Sequence, residues 1–253
     1  EVYDNDGSFL AVLYTDFFPR ESKGGGAWMT QFRGQKMVNG KDQRPLVSLV
    51  MNFTKPTDTK PSLLTFNEVT TFLHEFGHAL HGMFSKCTYG STSMDGVSRD
   101  FVELPSQFME NFALEKEWLD TWAVHYQTGE KIPQEYIDKI KKSSNFQAGY
   151  ASDRQLSFGM VDMAWHTITE PVTEPLVDFE QRAMGKTEIM PLVKGSAFSP
   201  AFGHIFAGGY AAGYYGYKWA EVLDADAFSL FKQNGIFDKA TAESFRRNVL
   251  EKG

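Results

Sequence analysis

The sequence predicts a mostly α-helical protein with a small N-terminal β-sheet, the sheet within residues 1–60 and the helices within 61–253. Three observations predict it. Short apolar runs broken by Gly, Pro and Asn turns fill the first part. Apolar positions recur at helical spacing through most of the second. Where the two parts meet, an unbroken amphipathic stretch, residues 69–84, carries imidazoles on one side and a core stripe on the other.

A chain of 253 residues can bury a sizeable core, as one large domain or two small ones. Its 42% hydrophobic and 23% charged content is ordinary for a globular protein. A net charge of −7 without a long acidic run argues against nucleic acid as a partner. No apolar run approaches the ~20 residues that span a bilayer, which argues against a membrane one. Cys87 is the only cysteine, so no intrachain disulfide is possible. The chain begins at Glu1 and stops directly after a helical pattern, so both ends read as cut. The expected compartment is the cytoplasm, with the periplasm as the alternative.

Taken in order, residues 9–14, 27–32 and 46–53 are strand candidates, the last two separated by the hairpin-type turn Asn39-Gly40. Lys23-Gly24-Gly25-Gly26 reads as a flexible loop; no Lys-Ser/Thr follows to make it a phosphate cradle. Residues 54–62 connect to a helix opened by Thr65-Phe66-Asn67-Glu68, with Thr65 or Asn67 as its cap. Residues 89–98 are too rich in Gly, Ser and Thr for anything but a loop. Helical periodicity resumes over 98–119, where Pro105 either kinks the helix or marks its true start. Further helices are expected over 136–144, 151–168, 176–184, 218–233 and 239–251. The tract 203–217 mixes glycine, alanine and aromatics; read as a helix, it puts Tyr210, Tyr214 and Tyr217 on one face.

The amphipathic stretch contains His74-Glu75-Phe76-Gly77-His78, a His-Glu-x-x-His pattern. Residues four apart on a helix stand one turn apart, so His74 and His78 can reach one metal ion. His81 falls within roughly 60° of both at ~100° per residue. Glu75 points sideways, where a general base is needed. So short a pattern also fits two ordinary histidines, but the uninterrupted stripe around it favours a metal.

A catalytic zinc takes three protein ligands and leaves one position open. His81 would give three ligands within two turns of one helix, which strains tetrahedral geometry, so it reads as a supporting or structural residue. A carboxylate from the next helix is the better candidate. Glu103 and Glu110, seven apart, would face the same way, one on the metal and the other orienting an imidazole. Spacing does not choose between them.

His74-Glu75-Phe76-Gly77-His78, followed by Arg99-Asp100-Phe101-Val102-Glu103-Leu104-Pro105-Ser106-Gln107, resembles the thimet-oligopeptidase family of zinc metallopeptidases. A second block, from His204-Ile205-Phe206-Ala207-Gly208-Gly209-Tyr210 to Tyr217, resembles that family's glycine-rich tyrosine loop. Pro19-Arg20-Glu21-Ser22-Lys23 through Ala27-Trp28-Met29 matches a third stretch. The blocks span nearly the whole chain. Members of the family are longer, so the chain resembles the zincin-type catalytic portion of a larger α-helical clamshell peptidase.

The resemblance implies Glu103 as the third ligand beside His74 and His78, and one zinc ion as cofactor. It implies Glu75 as general base, and His204, Tyr210 and Tyr217 as contacts to substrate and transition state. Short peptides are the expected partners. Residues 89–99 and Asp162-Met163-Ala164-Trp165-His166 look more like the peptidyl-dipeptidases of the family, whereas 102–111 look as much like its endo-oligopeptidases. The expected reaction is release of C-terminal dipeptides. Internal cleavage is the alternative, and a truncated module that only binds is a third reading. The strand at 46–53 is expected to pair with an extended substrate.

Overall fold

The computed structural model describes residues 1–190 and 193–253. Among them every named strand lies between Val2 and Val50, and every named helix lies beyond residue 65. Contacts divide the chain into two compact units. The first takes Glu1–Ser98, Val102–Ile137 and Glu221–Gly253; the second takes Arg99–Phe101 and Asp138–Ala220.

The first unit holds β1 (Val2–Tyr3), β2 (Phe9–Asp16), β3 (Trp28–Arg33), β4 (Lys36–Val38), β5 (Lys41–Gln43) and β6 (Leu46–Val50). Four of them form a sheet in the order β1-β2-β6-β3. β6 runs parallel to β2, from Val12 opposite Leu46 to Asp16 opposite Val50, and antiparallel to β3. Both edges of β6 are therefore taken, which corrects the expectation that residues 46–53 receive a substrate strand. The outer edge on that side belongs to β3. Asn39 and Gly40 do make a turn, with φ 51 and 75, but it closes the separate β4–β5 ribbon. Paired positive φ values give that turn the twist a two-residue hairpin needs.

The loop at Lys23 is held, not free. Its ammonium donates to the carbonyls of Asp16 and Phe18, both at 2.9 Å, and Asn52 Nδ2 donates to the carbonyls of Gly24 and Gly26. One face of the sheet buries Ala11, Val47 and Leu49 against Ala79 and Met83 of α1 (Phe66–Phe84). Thr65 caps α1 in a capping box: its hydroxyl takes the Glu68 N–H, and the Glu68 carboxylate takes the Thr65 N–H. Leu73 packs into a second cluster with Phe108, Phe112, Phe228 and Phe231, so α1 is buried on more than the expected stripe.

The helix expected over 98–119 is broken. Residues 99–103 are turns, α2 is Leu104–Glu110, a 3₁₀ turn covers Asn111–Leu114, and α3 is Lys116–Leu119. Pro105 lies in the first turn of α2, where its missing N–H costs nothing, so it marks the start and not a kink. Gly77 lets α2 approach α1. A Cβ there would stand 2.3 Å from the Pro105 carbonyl oxygen and 2.6 Å from Ser106 Cα.

The chain continues through α4 (Gln134–Ser144), α5 (Ala148–His166) and α6 (Leu176–Met184), with bounds close to expectation. In the second unit Val161, Met184, Phe202, Ile205 and Tyr214 form the core. The tract 203–217 is not one helix. α7 ends at Phe206, having begun at Gly203, and α8 (Gly216–Asn234) starts ten residues further on. Between them Gly209 and Ala212 adopt φ 82 and 53, which a right-handed helix excludes. Tyr210, Tyr214 and Tyr217 thus share no helix face, yet their rings still meet: Tyr217 lies 5.2 Å from Tyr210 and 5.0 Å from Tyr214. The last expected helix is α9 (Lys239–Phe245) followed by a π turn, Arg246–Leu250. No described helix is long and apolar enough to cross a membrane.

Candidate active site

His74 and His78 stand one turn apart on α1, their rings 5.0 Å apart and nearly perpendicular. Glu103 occupies the position just before α2, where the backbone already has helical dihedrals. The Gly77 crossing brings that carboxylate in: Glu103 Oε2 lies 3.1 Å from His74 Nε2 and 3.3 Å from His78 Nε2. One donor atom from each of the three residues lies within 4.8 Å of the others. Glu103 is buried, and the Ser106 hydroxyl, at 2.8 Å from Oε2, fixes its plane. Glu110, two turns along α2, sits instead on the far side of the His74 ring, its Oε1 2.6 Å from Nδ1. The two carboxylates that spacing could not separate thus have different partners. Glu110 holds the Nδ1 side of the His74 ring, which turns Nε2 toward Glu103.

The charges suit a cation. Burial pushes the Glu103 carboxyl up, but hydrogen bonds from His74 and His78 outweigh it and hold it well below the usual carboxylate range. Burial pushes His74 down, and its bonds to Glu103 and Glu110 reverse this and raise it to about 10. Two carboxylates around one imidazole call for positive charge, and a divalent ion at the converging Nε2, Nε2 and Oε2 atoms would supply it. Two imidazoles and one carboxylate suit zinc with an open fourth position.

Glu75 lies next to this cluster, nearly buried, and burial raises its pKa above the ordinary glutamate value. The Met29 N–H on β3 faces its carboxylate and favours the charged form. His74, Glu75 and Glu110 line an open cavity of about 240 Å³ with Ala27, Thr70 and Thr71. His81 is fully buried, and neither ring nitrogen has a hydrogen-bond partner. Burial, then the neighbouring His78, lowers it to about 4, so it is a neutral core residue.

The other residues singled out in the sequence belong to the second unit. His204 lies on α7 with its ring 5.9 Å from that of Tyr210, and Tyr210 stacks on Tyr217. The Arg99 guanidinium covers the Tyr210 ring at 4.8 Å. Two contributors to the first-unit site escaped the sequence reading. The Met29 N–H carries no side-chain signal at all. Ser106 has one, a hydroxyl three residues after Glu103 at the start of a helix.

A His-Glu-x-x-His helix completed by a glutamate from the next helix is the donor arrangement of zinc-dependent hydrolases. Residues 1–253 match peptidase family M3. The chain belongs to that family. It is 44% identical to oligopeptidase A of Escherichia coli K12 over the whole of its own length, which is 38% of that protein. It is 40% identical to dipeptidyl carboxypeptidase of Salmonella typhimurium, again over its full length and 37% of that relative. A thimet-like oligopeptidase of Dictyostelium discoideum is 35% identical over 96% of the chain and 37% of its own length. The chain thus spans well under half the length of the curated relatives it matches.

Proposed function

We propose that the protein hydrolyses peptide bonds in short oligopeptides, with His74, His78 and Glu103 holding one zinc ion. The observation that carries this reading is the convergence of both Nε2 atoms on Glu103 Oε2 beside the buried Glu75. A bound zinc ion supplies Lewis acidity, which polarises a carbonyl and lets water ionise near neutral pH. Glu75 takes the proton of the attacking water on a carboxylate oxygen and hands it to the leaving amine. Its raised pKa keeps that proton available to give back. Glu110 keeps His74 in one tautomer, and Ser106 keeps the Glu103 carboxylate from turning. An extended peptide laid as an added strand has the outer edge of β3 available, and Met29 ties that strand to Glu75. From the family resemblance, His204, Tyr210 and Tyr217 supply donors to the substrate and to the oxyanion of the transition state.

The test is Glu75→Gln, which is nearly isosteric and cannot accept the proton. Zinc content should be unchanged while turnover falls by about 10²–10⁴. A zinc-loaded variant of normal activity would remove Glu75 from the mechanism.

The cleavage mode has two supported forms. Release of C-terminal dipeptides is the form expected from the sequence, and dipeptidyl carboxypeptidase is among the similar proteins. Internal cleavage is supported by the similarity to oligopeptidase A. Mass spectrometry of a ten-residue peptide, free and C-terminally amidated, separates them. A dipeptidase must hold the free carboxylate, so amidation should slow it at least about tenfold, the cost of unpaired buried donors. Equal rates with several internal cuts assign the endopeptidase form.

A further inference from the structure

Residues 207–215 lie between two helices and belong to neither, and one buried side chain holds their backbone. Asp162 on α5 is fully buried. Its Oδ1 accepts the N–H of Ala212 and its Oδ2 that of Tyr214, each at 2.9 Å. His166, one turn along α5, brings Nδ1 to 2.8 Å from Oδ1. A buried carboxylate needs donors, and the loop it faces supplies both of its hydrogen bonds, while the hydrogen bond of His166 Nδ1 goes to the Asp162 carbonyl.

The loop conformation between those bonds is not one the chain prefers. Ala212 sits at φ 53, a left-handed conformation that its Cβ disfavours. A Cβ on Gly213 would meet Arg99 Cγ at 3.0 Å, and one on Gly216 would meet Asp100 Cα at 2.8 Å. The Tyr215 hydroxyl donates to Asp100 Oδ2 at 2.6 Å. The loop is therefore pressed against Arg99 and Asp100 while Asp162 takes its amides. The Tyr214 ring is buried in the core, Tyr217 packs on it, and Tyr210 stacks on Tyr217. Glu180 makes a similar clamp, fully buried and accepting the N–H groups of Phe198 and Ser199, but it holds no residue of the proposed chemistry.

We propose that Asp162 is a positioning residue for the hydrolytic reaction: by clamping the amides of Ala212 and Tyr214, it fixes the directions in which Tyr210 and Tyr217 present their hydroxyls. This rests on the reading of Tyr217 as a transition-state donor.

Asp162→Asn keeps the shape but puts an amide N–H₂ where the second loop N–H needs an oxygen. In the intact protein kcat should fall about 10–100-fold, as sub-ångström to ångström misplacement of a donor does, with KM and zinc content unchanged. A double-mutant cycle with Tyr217→Phe separates positioning from general damage. If Asp162 acts through Tyr217, the double variant is at most about threefold slower than the slower single one. Losses that multiply, or a wild-type kcat in Asp162→Asn, overturn the proposal. Hydrogen exchange at the amides of residues 212 and 214 should also quicken in Asp162→Asn, and unchanged exchange overturns the clamp. If Tyr217→Phe alone keeps the wild-type rate, the tyrosine reading falls, while exchange at 212 and 214 still decides whether Asp162 holds the loop. Should Asp162→Asn not fold, His166→Gln reads the same clamp from its partly exposed end: a smaller loss confined to kcat supports it, and an unchanged kcat overturns it.

Discussion

In the first unit, the side chains proposed as metal donors hang from helices whose backbones are held by their own hydrogen bonds. His74 and His78 lie inside α1, and Glu103 stands at the threshold of α2. In the second unit, Tyr210 and Tyr214 hang from a stretch outside any helix, and two of its amides are taken by the carboxylate of Asp162. A helix sets side-chain direction by periodicity, so a change at one donor leaves the others in place. A clamped loop sets direction through one or two contacts, so a change far from any tyrosine hydroxyl can turn several rings together. The two constructions should therefore fail differently when mutated.

The largest difference is expected at the metal donors. Glu103→Ala should abolish tight zinc binding, while Glu110→Ala should weaken it about 10–100-fold, as loss of a partner behind a ligand does. Metal titration of both variants checks this, and the reverse order would exchange their roles. Tyr217→Phe should lower kcat by about 10²–10³, the usual cost of one oxyanion donor, with KM and zinc affinity unchanged. A rise in KM at constant kcat would make Tyr217 a ground-state contact instead. Gly77→Ala tests whether α2 is carried as a rigid piece. The added Cβ overlaps backbone and cannot be absorbed by a side-chain turn, so about 1–3 kcal/mol of stability should go. Because Glu103 moves with α2, zinc affinity should fall with it; denaturant melts and metal titration on the same sample show whether the two losses travel together.

The smallest effect concerns a buried carboxylate with fewer donors than Asp162. Asp224 on α8 accepts Asn111 Nδ2 at 3.1 Å. Burial above all, aided by Glu110 and Glu221, raises its pKa to about 6. A folded pKa above the unfolded one means that the folded state binds the proton more tightly. Stability from this group is therefore full below about pH 4 and is lost as pH rises through about 6. Asp224→Asn should flatten that slope and raise Tm by a few degrees at pH 7, about 1–3 kcal/mol. A variant with an unchanged pH profile of Tm would show that Asp224 is not the group responsible.

The first unit was legible where its signals are local. Thr65 and Glu68 announce the start of α1, and its period announces the side that carries His74 and His78. Glu103 and Glu110 could not be told apart, because the distinction depends on where α2 begins. That is set by Pro105, which the sequence allowed to be either a kink or a start. The parallel pairing of β2 with β6 was hidden, since nothing local marks a partner so far along the chain. Asn39-Gly40 was a true turn between two strands that do pair antiparallel, β3 and β6, but it closes the short β4–β5 ribbon inserted between them, which no apolar run announced.

The second unit hid more. The spacing of Tyr210, Tyr214 and Tyr217 imitates a helix, while the positive φ at Ala212 leaves no mark in residue type. Asp162 reads in sequence as one polar position on an amphipathic helix, and only the folded chain reveals what its carboxylate faces.

The first unit is drawn from three segments, with residues 138–220 spoken for elsewhere. Leu73 of α1 shares its apolar cluster with Phe228 and Phe231, and Arg246 reaches back to Asp4. During synthesis the two imidazoles therefore emerge long before the aromatic residues that complete the core they belong to. At about 5–20 residues per second, the roughly 150 residues from α1 to the end of α8 take about 8–30 s. Over that interval α1 lacks the aromatic residues that cover Leu73, so its apolar side belongs to a nascent chain and stays open to chaperones.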